Sequence, residues 1–228
     1  MYYEQRITAL IGSTQKNSTS KAVVNYLKEK FSSHDIKIDA FKVCEVYQDK
    51  NKFTKLLENI SQNDLFIICA PVYIDALSYP LISTLEQIHS YKEKINFYEK
   101  KLMVIIHSGF PEKIHREPAI EICHNFAQII GFDWKGAIDF GVSSIIEGKA
   151  LNESGIATVW IRKILDEAVE TILNEEKFSS KTIRKSLNLP IPIPIPIKCL
   201  PPILNFGVRR KIKKEKIKKV FARPYSRK

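Results

Sequence analysis

The sequence predicts a doubly wound α/β fold, in which helices cover both faces of a five-stranded parallel sheet. Short apolar segments alternate five times with segments of helical periodicity over about 175 residues. Most of these apolar segments are continuous, as expected for parallel strands that are buried on both faces. Right-handed crossovers turn such an alternation into one parallel sheet with helices on both sides.

The first two strand–helix pairs follow from the spacing of apolar residues. RITALI at residues 6–11 is a continuous apolar run that ends at Gly12, and a polar loop follows it. Helical spacing predicts one helix over residues 20–31 and another over residues 51–60. Between them, IKIDAF at residues 36–41 alternates apolar and polar residues, which is typical of a less buried strand.

The remaining strands are predicted at residues 64–70, 101–107 and 134–140, and the remaining helices at about residues 81–95, 118–130 and 156–173. DLFIICA, the third strand, is the run most typical of a central strand, and Pro71 ends it. The fourth strand ends at Ser108 and Gly109, and Gly131 ends the helix that follows.

The loops after strands one, three and four are the expected site. Sheets of this kind bind ligands beyond the carboxyl ends of the strands, at the point where the strand order reverses, and two strand orders are common. In the first of these loops, Ser13, Ser18, Thr19 and Ser20 add hydroxyl groups to the amides of a helix N-terminus. Such a cup of donors suits a phosphate group, whereas a simple helix cap would need only one hydroxyl.

The spacing within this first loop also resembles a known motif. Ser13-x-Gln15-x-x-Ser18-x-Ser20 is similar to the S-x-R-x-x-S-x-S phosphate loop of the NADPH-dependent FMN reductase family. Gln15 stands where that family has arginine, so one charged partner of the phosphate is lost, and Lys16 is the candidate to replace it. The GxxxxGK[ST] and GxGxxG arrangements of other nucleotide sites are missing from the sequence.

Two further loops resemble the same family. Residues 70–75, APVYID, are similar to its P-x-Y loop, and residues 107–112, HSGFPE, to its small-residue loop after the fourth strand. The resemblance covers about residues 5–175 and extends to ARPY at residues 222–225, which is similar to the C-terminal ending of some bacterial members. It implies a flavodoxin-like fold with strand order 2-1-3-4-5, FMN as cofactor and NAD(P)H as co-substrate.

The loops and the resemblance together give the candidate FMN-binding residues. They are Ser13, Gln15, Lys16, Asn17, Ser18, Thr19 and Ser20 in the first loop, Pro71, Val72, Tyr73, Ile74 and Asp75 in the second, and Ser108, Gly109 and Phe110 in the third. The first group is expected to hold the phosphate. Amides of the second loop are expected to bond the polar edge of the flavin, with Tyr73 against the ring, and Gly109 to allow close approach of the backbone.

The basic character of the chain belongs to its C-terminal segment. Residues 181–228 contain 15 Lys or Arg and one acid, Glu215, whereas residues 1–180 contain 21 Lys or Arg and 24 Asp or Glu. We therefore divide the chain into an FMN-binding domain, residues 1–178, and a basic, Pro-rich extension, residues 179–228. An Ile-Pro alternation within the extension predicts an extended segment that packs on the domain or on another subunit, and a short basic helix is expected beyond it.

The expected function is that of an NAD(P)H-dependent flavin oxidoreductase with a small-molecule or protein electron acceptor. Because the flavin performs the chemistry, no catalytic residue is predicted, and the dispersed cysteines and histidines predict no metal site. The resemblance implies a homo-oligomer, a dimer or a tetramer. We expect a cytoplasmic protein without a transmembrane segment, and do not expect nucleic acid as its partner. The alternatives are a flavodoxin-type electron carrier, or a binding module that uses its basic tail on nucleic acid or membrane.

Overall fold

Six parallel strands form one sheet in the order β2-β1-β3-β4-β5-β6. The computed structural model describes residues 6–95, 97, 100–146, 148–173 and 183–187. The strands are β1 (Arg6–Ile11), β2 (Lys37–Lys42), β3 (Leu65–Pro71), β4 (Lys101–His107), β5 (Asp133–Phe140) and β6 (Ile183–Leu187). The predicted fold class and the order 2-1-3-4-5 of the first five strands are confirmed.

Helices cover both faces of the sheet. They are α1 (Thr19–Ser32), α2 (Val43–Gln48), α3 (Lys50–Gln62), α4 (Tyr79–Ser90), α5 (Glu117–Ile130) and α6 (Val159–Leu173). The apolar faces of α1 and α6 build one core cluster on the sheet, and those of α2 to α5 build the other. The short helix α2 was not predicted, because six residues are too few to show a helical period.

The sixth strand is a correction to the predicted five-stranded sheet. Ile183 to Leu187 pair with β5, from Gly136 to Phe140, at the edge of the sheet. Gly136 has a φ of 104°, and a Cβ atom there would collide with the carbonyl oxygen of Ile183, so only glycine allows this pairing. The new strand lies within the segment that was assigned to the extension. The division of the chain at residue 178 stays a prediction.

Other predictions about the tail concern residues that are not described. The Ile-Pro run at residues 189–202, the basic stretch at residues 208–220 and the ARPY ending at residues 222–225 lie outside the described residues.

In the part that is described, no helix has both the length and the apolarity that a membrane span needs. Cys69 and Cys123 are buried free thiols, and burial raises the pKa of both.

Candidate functional site

Three loops leave the sheet at its carboxyl edge, side by side. We call residues 12–18 the first loop, residues 72–78 the second loop and residues 108–112 the third loop. The N–H that opens each loop donates to the end of a neighbouring strand: Gly12 to Cys69 at 2.8 Å, Val72 to His107 at 2.8 Å and Ser108 to Phe140 at 3.1 Å. The sheet therefore brings together the three loops that the sequence singled out.

The first loop carries donors at the N-terminus of α1. Ser18 is the N-cap of the helix, and its Oγ accepts a hydrogen bond from the Lys21 N–H at 3.2 Å. Ser13 is buried, and its Oγ accepts from the Gln15 N–H at 3.3 Å. Because a serine hydroxyl also has one proton to donate, both side chains keep a donor for an anion. The first turn of α1 contains no acidic residue that would repel one.

The side chains of Thr19 and Ser20 point to partners inside the protein. Thr19 Oγ1 donates to the Ser143 carbonyl at 3.2 Å, and Ser20 Oγ lies 2.8 Å from His107 Nε2. These internal bonds compete with the predicted contacts of the two hydroxyls to a phosphate. Gln15, Lys16 and Asn17 are exposed, and among the described residues no internal hydrogen bond of their side chains competes with the predicted contacts.

His107 anchors the start of α1, directly after the first loop, and sequence reasoning missed this role. The ring is buried between two hydroxyls, with Nε2 at 2.8 Å from Ser20 Oγ and Nδ1 at 3.1 Å from Ser143 Oγ. It also stacks on Phe140, with ring centroids 5.6 Å apart. Burial lowers the pKa of His107 to about 3, so the imidazole is neutral and holds both serines in one arrangement. The only sequence signal was its position at the end of β4.

The chain after β5 also contacts the first loop, although it was not among the predicted loops. Gly148 has a φ of 73°, and a Cβ atom there would lie 3.0 Å from both Asn17 C and Ser18 N. The Ser143 N–H donates to the Ser108 carbonyl at 2.9 Å, which ties the same segment to the third loop. The segment therefore supports the first and third loops at once.

The second loop is a tight turn with strained backbone. The Tyr73 N–H donates to the Ala76 carbonyl at 2.8 Å, and the Ala76 N–H returns a bond to Tyr73 at 3.2 Å. Ile74 and Asp75 between them have φ of 50° and 62°, the left-handed pattern of a type I′ turn. A β-branched residue rarely adopts this conformation, and strain of this kind is concentrated at functional sites. Within the described residues, neither amide donates to a backbone acceptor, so both remain for a ligand.

A side-chain pair joins the second loop to His115, which lies just after the third loop and contacts it. Asp75 Oδ1 lies 2.6 Å from His115 Nδ1, and the His115 ring lies 5.3 Å from the ring of Phe110. Asp75 was predicted only as an FMN-binding residue of the second loop, and the structure also pairs its carboxylate with His115. Gly109 has open space where a Cβ atom would stand, so the protein itself does not require glycine there.

An apolar rim surrounds these polar loops. Among the described residues, seven large apolar side chains are exposed, and five of them lie on or next to the second and third loops. The five are Tyr73, Ile74, Tyr79, Phe110 and Ile114. Exposed apolar groups that cluster around convergent polar groups mark a binding site for a partly apolar ligand.

One family of known proteins matches the part of the chain that carries the three loops. Residues 5–116 match the model of the NADPH-dependent FMN reductase family, and the matched segment contains all three loops. The match confirms the predicted resemblance and the predicted class, an NAD(P)H-dependent flavin oxidoreductase with FMN as its cofactor. No curated protein matches the chain by sequence.

Solved structures show the same fold at low sequence identity. A Klebsiella pneumoniae protein assigned as a quinone reductase is 12% identical, with a TM-score of 0.56 over 76% of this chain and 86% of that one. An NADH:FMN oxidoreductase, EmoB, is 15% identical, with a TM-score of 0.56 over 77% and 95%. RosB, solved with a riboflavin-phosphate intermediate, is 13% identical, with a TM-score of 0.54 over 96% and 90%. At these identities the likeness shows the fold alone.

Proposed function

We propose that the chain binds FMN at the carboxyl edge of its sheet and carries hydride from NAD(P)H to a small-molecule or protein electron acceptor. The observation that carries this proposal is that the donor cup of the first loop and the strained turn of the second loop lie at one sheet edge. Bound FMN supplies the redox chemistry. The residues of the chain bind it, orient it and shape the access of the two substrates.

The first loop would hold the phosphate. The hydroxyl protons of Ser13 and Ser18, together with the first amides of α1, would bind it at the helix end where the dipole favours an anion. Lys16 supplies a positive charge in place of the arginine that the family motif has. Asn17 and Gln15 are exposed beside it and add polar contacts.

The second and third loops would hold the ring system. The amides of Ile74 and Asp75, which lie in the left-handed turn, would donate to the carbonyl-rich edge of an isoalloxazine ring. Pro71 and Val72 set the direction of this loop, and Tyr73 flanks the ring. Ser108, Gly109 and Phe110 would form the wall on the other side, where the absence of a side chain on Gly109 leaves room for close approach.

We infer that a small-molecule acceptor would have an apolar body, because the apolar rim lies on the loops that are proposed to hold the flavin. A homo-oligomer of two or four chains and a cytoplasmic location are further parts of this proposal. The apolar rim would suit burial against a second subunit as well as contact with a substrate.

Absorbance of the purified protein tests the proposal directly. We expect a yellow protein, or one that becomes yellow with FMN, and tighter binding of FMN than of riboflavin. Anaerobic addition of NADH or NADPH should then bleach the flavin within seconds. Equal affinity for FMN and riboflavin would contradict the phosphate site. Tight FMN binding with reduction that takes many minutes would instead indicate an electron carrier.

A further inference from the structure

Arg116, at the start of α5, is the largest fully buried side chain among the described residues. Its side chain has no exposed surface, and neither has that of Asp139 on β5. The two are paired, with Arg116 Nε donating to Asp139 Oδ2 at 2.8 Å. A fully buried ion pair is a weak source of stability, because both charges must be removed from water. Its presence therefore calls for a reason other than stability.

The rest of the guanidinium group faces the third loop. Nη1 is the donor in four contacts: to Ser108 Oγ at 3.1 Å and to the carbonyl oxygens of Phe110, Pro111 and Glu112 at 3.3, 3.3 and 3.1 Å. Arginine keeps its charge at any ordinary pH, so these contacts do not depend on protonation. Because they turn three successive carbonyl groups inward, they fix the backbone path of the loop that is proposed to face the flavin.

The edge strand β6 completes the same cluster. Ser186 Oγ donates to Asp139 Oδ2 at 2.9 Å, the oxygen that Arg116 also contacts. The other oxygen of Asp139, Oδ1, is buried and has no hydrogen-bond partner among the described residues. All the polar contacts that are seen for this carboxylate are therefore made by Oδ2. The Leu187 carbonyl accepts from the Gly141 N–H at 2.8 Å and lies 3.5 Å from Arg116 Nη2. The position of Arg116 thus depends on β6 as well as on β5.

We propose that Arg116 and Asp139 are positioning residues that couple the docking of β6 to the shape of the third loop, so that this loop holds its cofactor-binding form only while β6 is in place. The link to FMN rests on the proposed function; the coupling of β6 to the loop does not. Coupling between two sites is reciprocal, so bound FMN stabilises the docked strand by the same factor. β6, which lies within the segment assigned to the basic extension, is thereby connected to the proposed flavin site.

Neighbouring residues of β6 provide a matched test. Ser186 contacts Asp139, whereas the adjacent Lys185 reaches across the other face of the sheet to Glu167 on α6, with Nζ and Oε2 2.6 Å apart. Ser186→Ala should raise the FMN dissociation constant about fivefold or more, within the range of typical coupling energies. Lys185→Ala should leave it unchanged. Ser186→Thr keeps the hydroxyl and should restore the affinity together with the visible circular dichroism of bound flavin.

A general loosening of β6 would affect both alanine variants alike, so the difference between them reports the coupling itself. Amide hydrogen exchange of residues 108–112 in the protein without FMN gives a second readout, and it should be faster in Ser186→Ala than in Lys185→Ala. Equal exchange and equal FMN affinity in the two variants would overturn the proposal. If the unmodified chain binds no FMN, the proposed function fails, and the exchange comparison alone decides whether β6 and the third loop are coupled.

Discussion

Ser18 allows the phosphate site to be tested apart from the fold. Its hydroxyl oxygen caps α1, while its proton is the proposed donor to the phosphate. Ser18→Asp should keep the cap, since aspartate caps helices as well as serine does, but it places a negative charge where the phosphate would bind. We expect a melting temperature that is unchanged or higher and a loss of FMN binding, with riboflavin binding retained because riboflavin has no phosphate.

The size of the effect follows from the hydrogen bonds that are lost. A bond to a charged group contributes about 1.5–3 kcal/mol, so Ser13→Ala with Ser18→Ala removes roughly 3–6 kcal/mol if the two act independently. At 1.4 kcal/mol for each factor of ten, the dissociation constant of FMN should rise about a hundredfold or more. Fluorescence titration of the flavin measures it.

Ser33→Ala is the matched control, because Ser33 lies at the opposite end of α1 and its hydroxyl donates to the Lys30 carbonyl. It should leave FMN affinity unchanged. A rise of less than about threefold in the double variant, well below the loss expected for two charged hydrogen bonds, would mean that the phosphate lies elsewhere. Retained FMN binding by Ser18→Asp would lead to the same conclusion.

Three further predictions concern the backbone and the buried histidine. Ile74→Gly should raise the midpoint of urea unfolding. It relieves about 1–2 kcal/mol of left-handed strain, which exceeds the roughly 0.4–1 kcal/mol that glycine costs by raising the entropy of the unfolded chain. A lower midpoint would show that the turn is not strained. Because the pKa of His107 is lowered in the folded protein, the unfolded chain binds a proton at this residue first as the pH falls below about 6.5. The free energy of unfolding should therefore decline between about pH 6.5 and 3, by up to about 1.4 kcal/mol per pH unit from this group. His107→Gln should unfold with a weaker dependence on pH in that window, and an unchanged dependence would contradict the assignment. Gly148→Ala and Gly131→Ala both place alanine at a positive φ, so both should lower the melting temperature. Only Gly148 lies against the first loop, so only Gly148→Ala should weaken FMN binding. Equal FMN affinity in the two variants would show that Gly148 does not support the site.

The fold was predictable because each central strand is visible in the sequence as a continuous apolar run. The continuous apolar runs in β1, β3 and β4 place those strands to within a residue, and the loops that follow them were recognised from serine spacing and from proline and glycine. β6 was not predicted, because its sequence, IRKSL, is short and largely polar. It becomes a strand only by pairing with β5 next to Gly136. Its formation is a property of the assembled sheet, which no local pattern expresses.

The buried residues that support the loops were not predicted, for a related reason. His107 meets Ser20 across 87 positions of sequence, and Arg116 meets Asp139 across 23, so neither pair forms a motif. Single buried polar residues in a sequence are indistinguishable from surface ones until a partner is known. Sequence reasoning could name candidate ligand-binding side chains, but not the buried residues that hold the loops in place.

The two buried supports share one electrostatic property that bears on function. His107 is neutral because burial lowers its pKa to about 3, and Arg116 is charged because a guanidinium group does not lose its proton in proteins. Neither group changes its charge around neutral pH, so the support that these two residues give to the start of α1 and to the third loop does not vary there. A dependence of flavin reduction on pH near neutrality would then arise from other groups of the site or from the reaction itself, and not from these two supports.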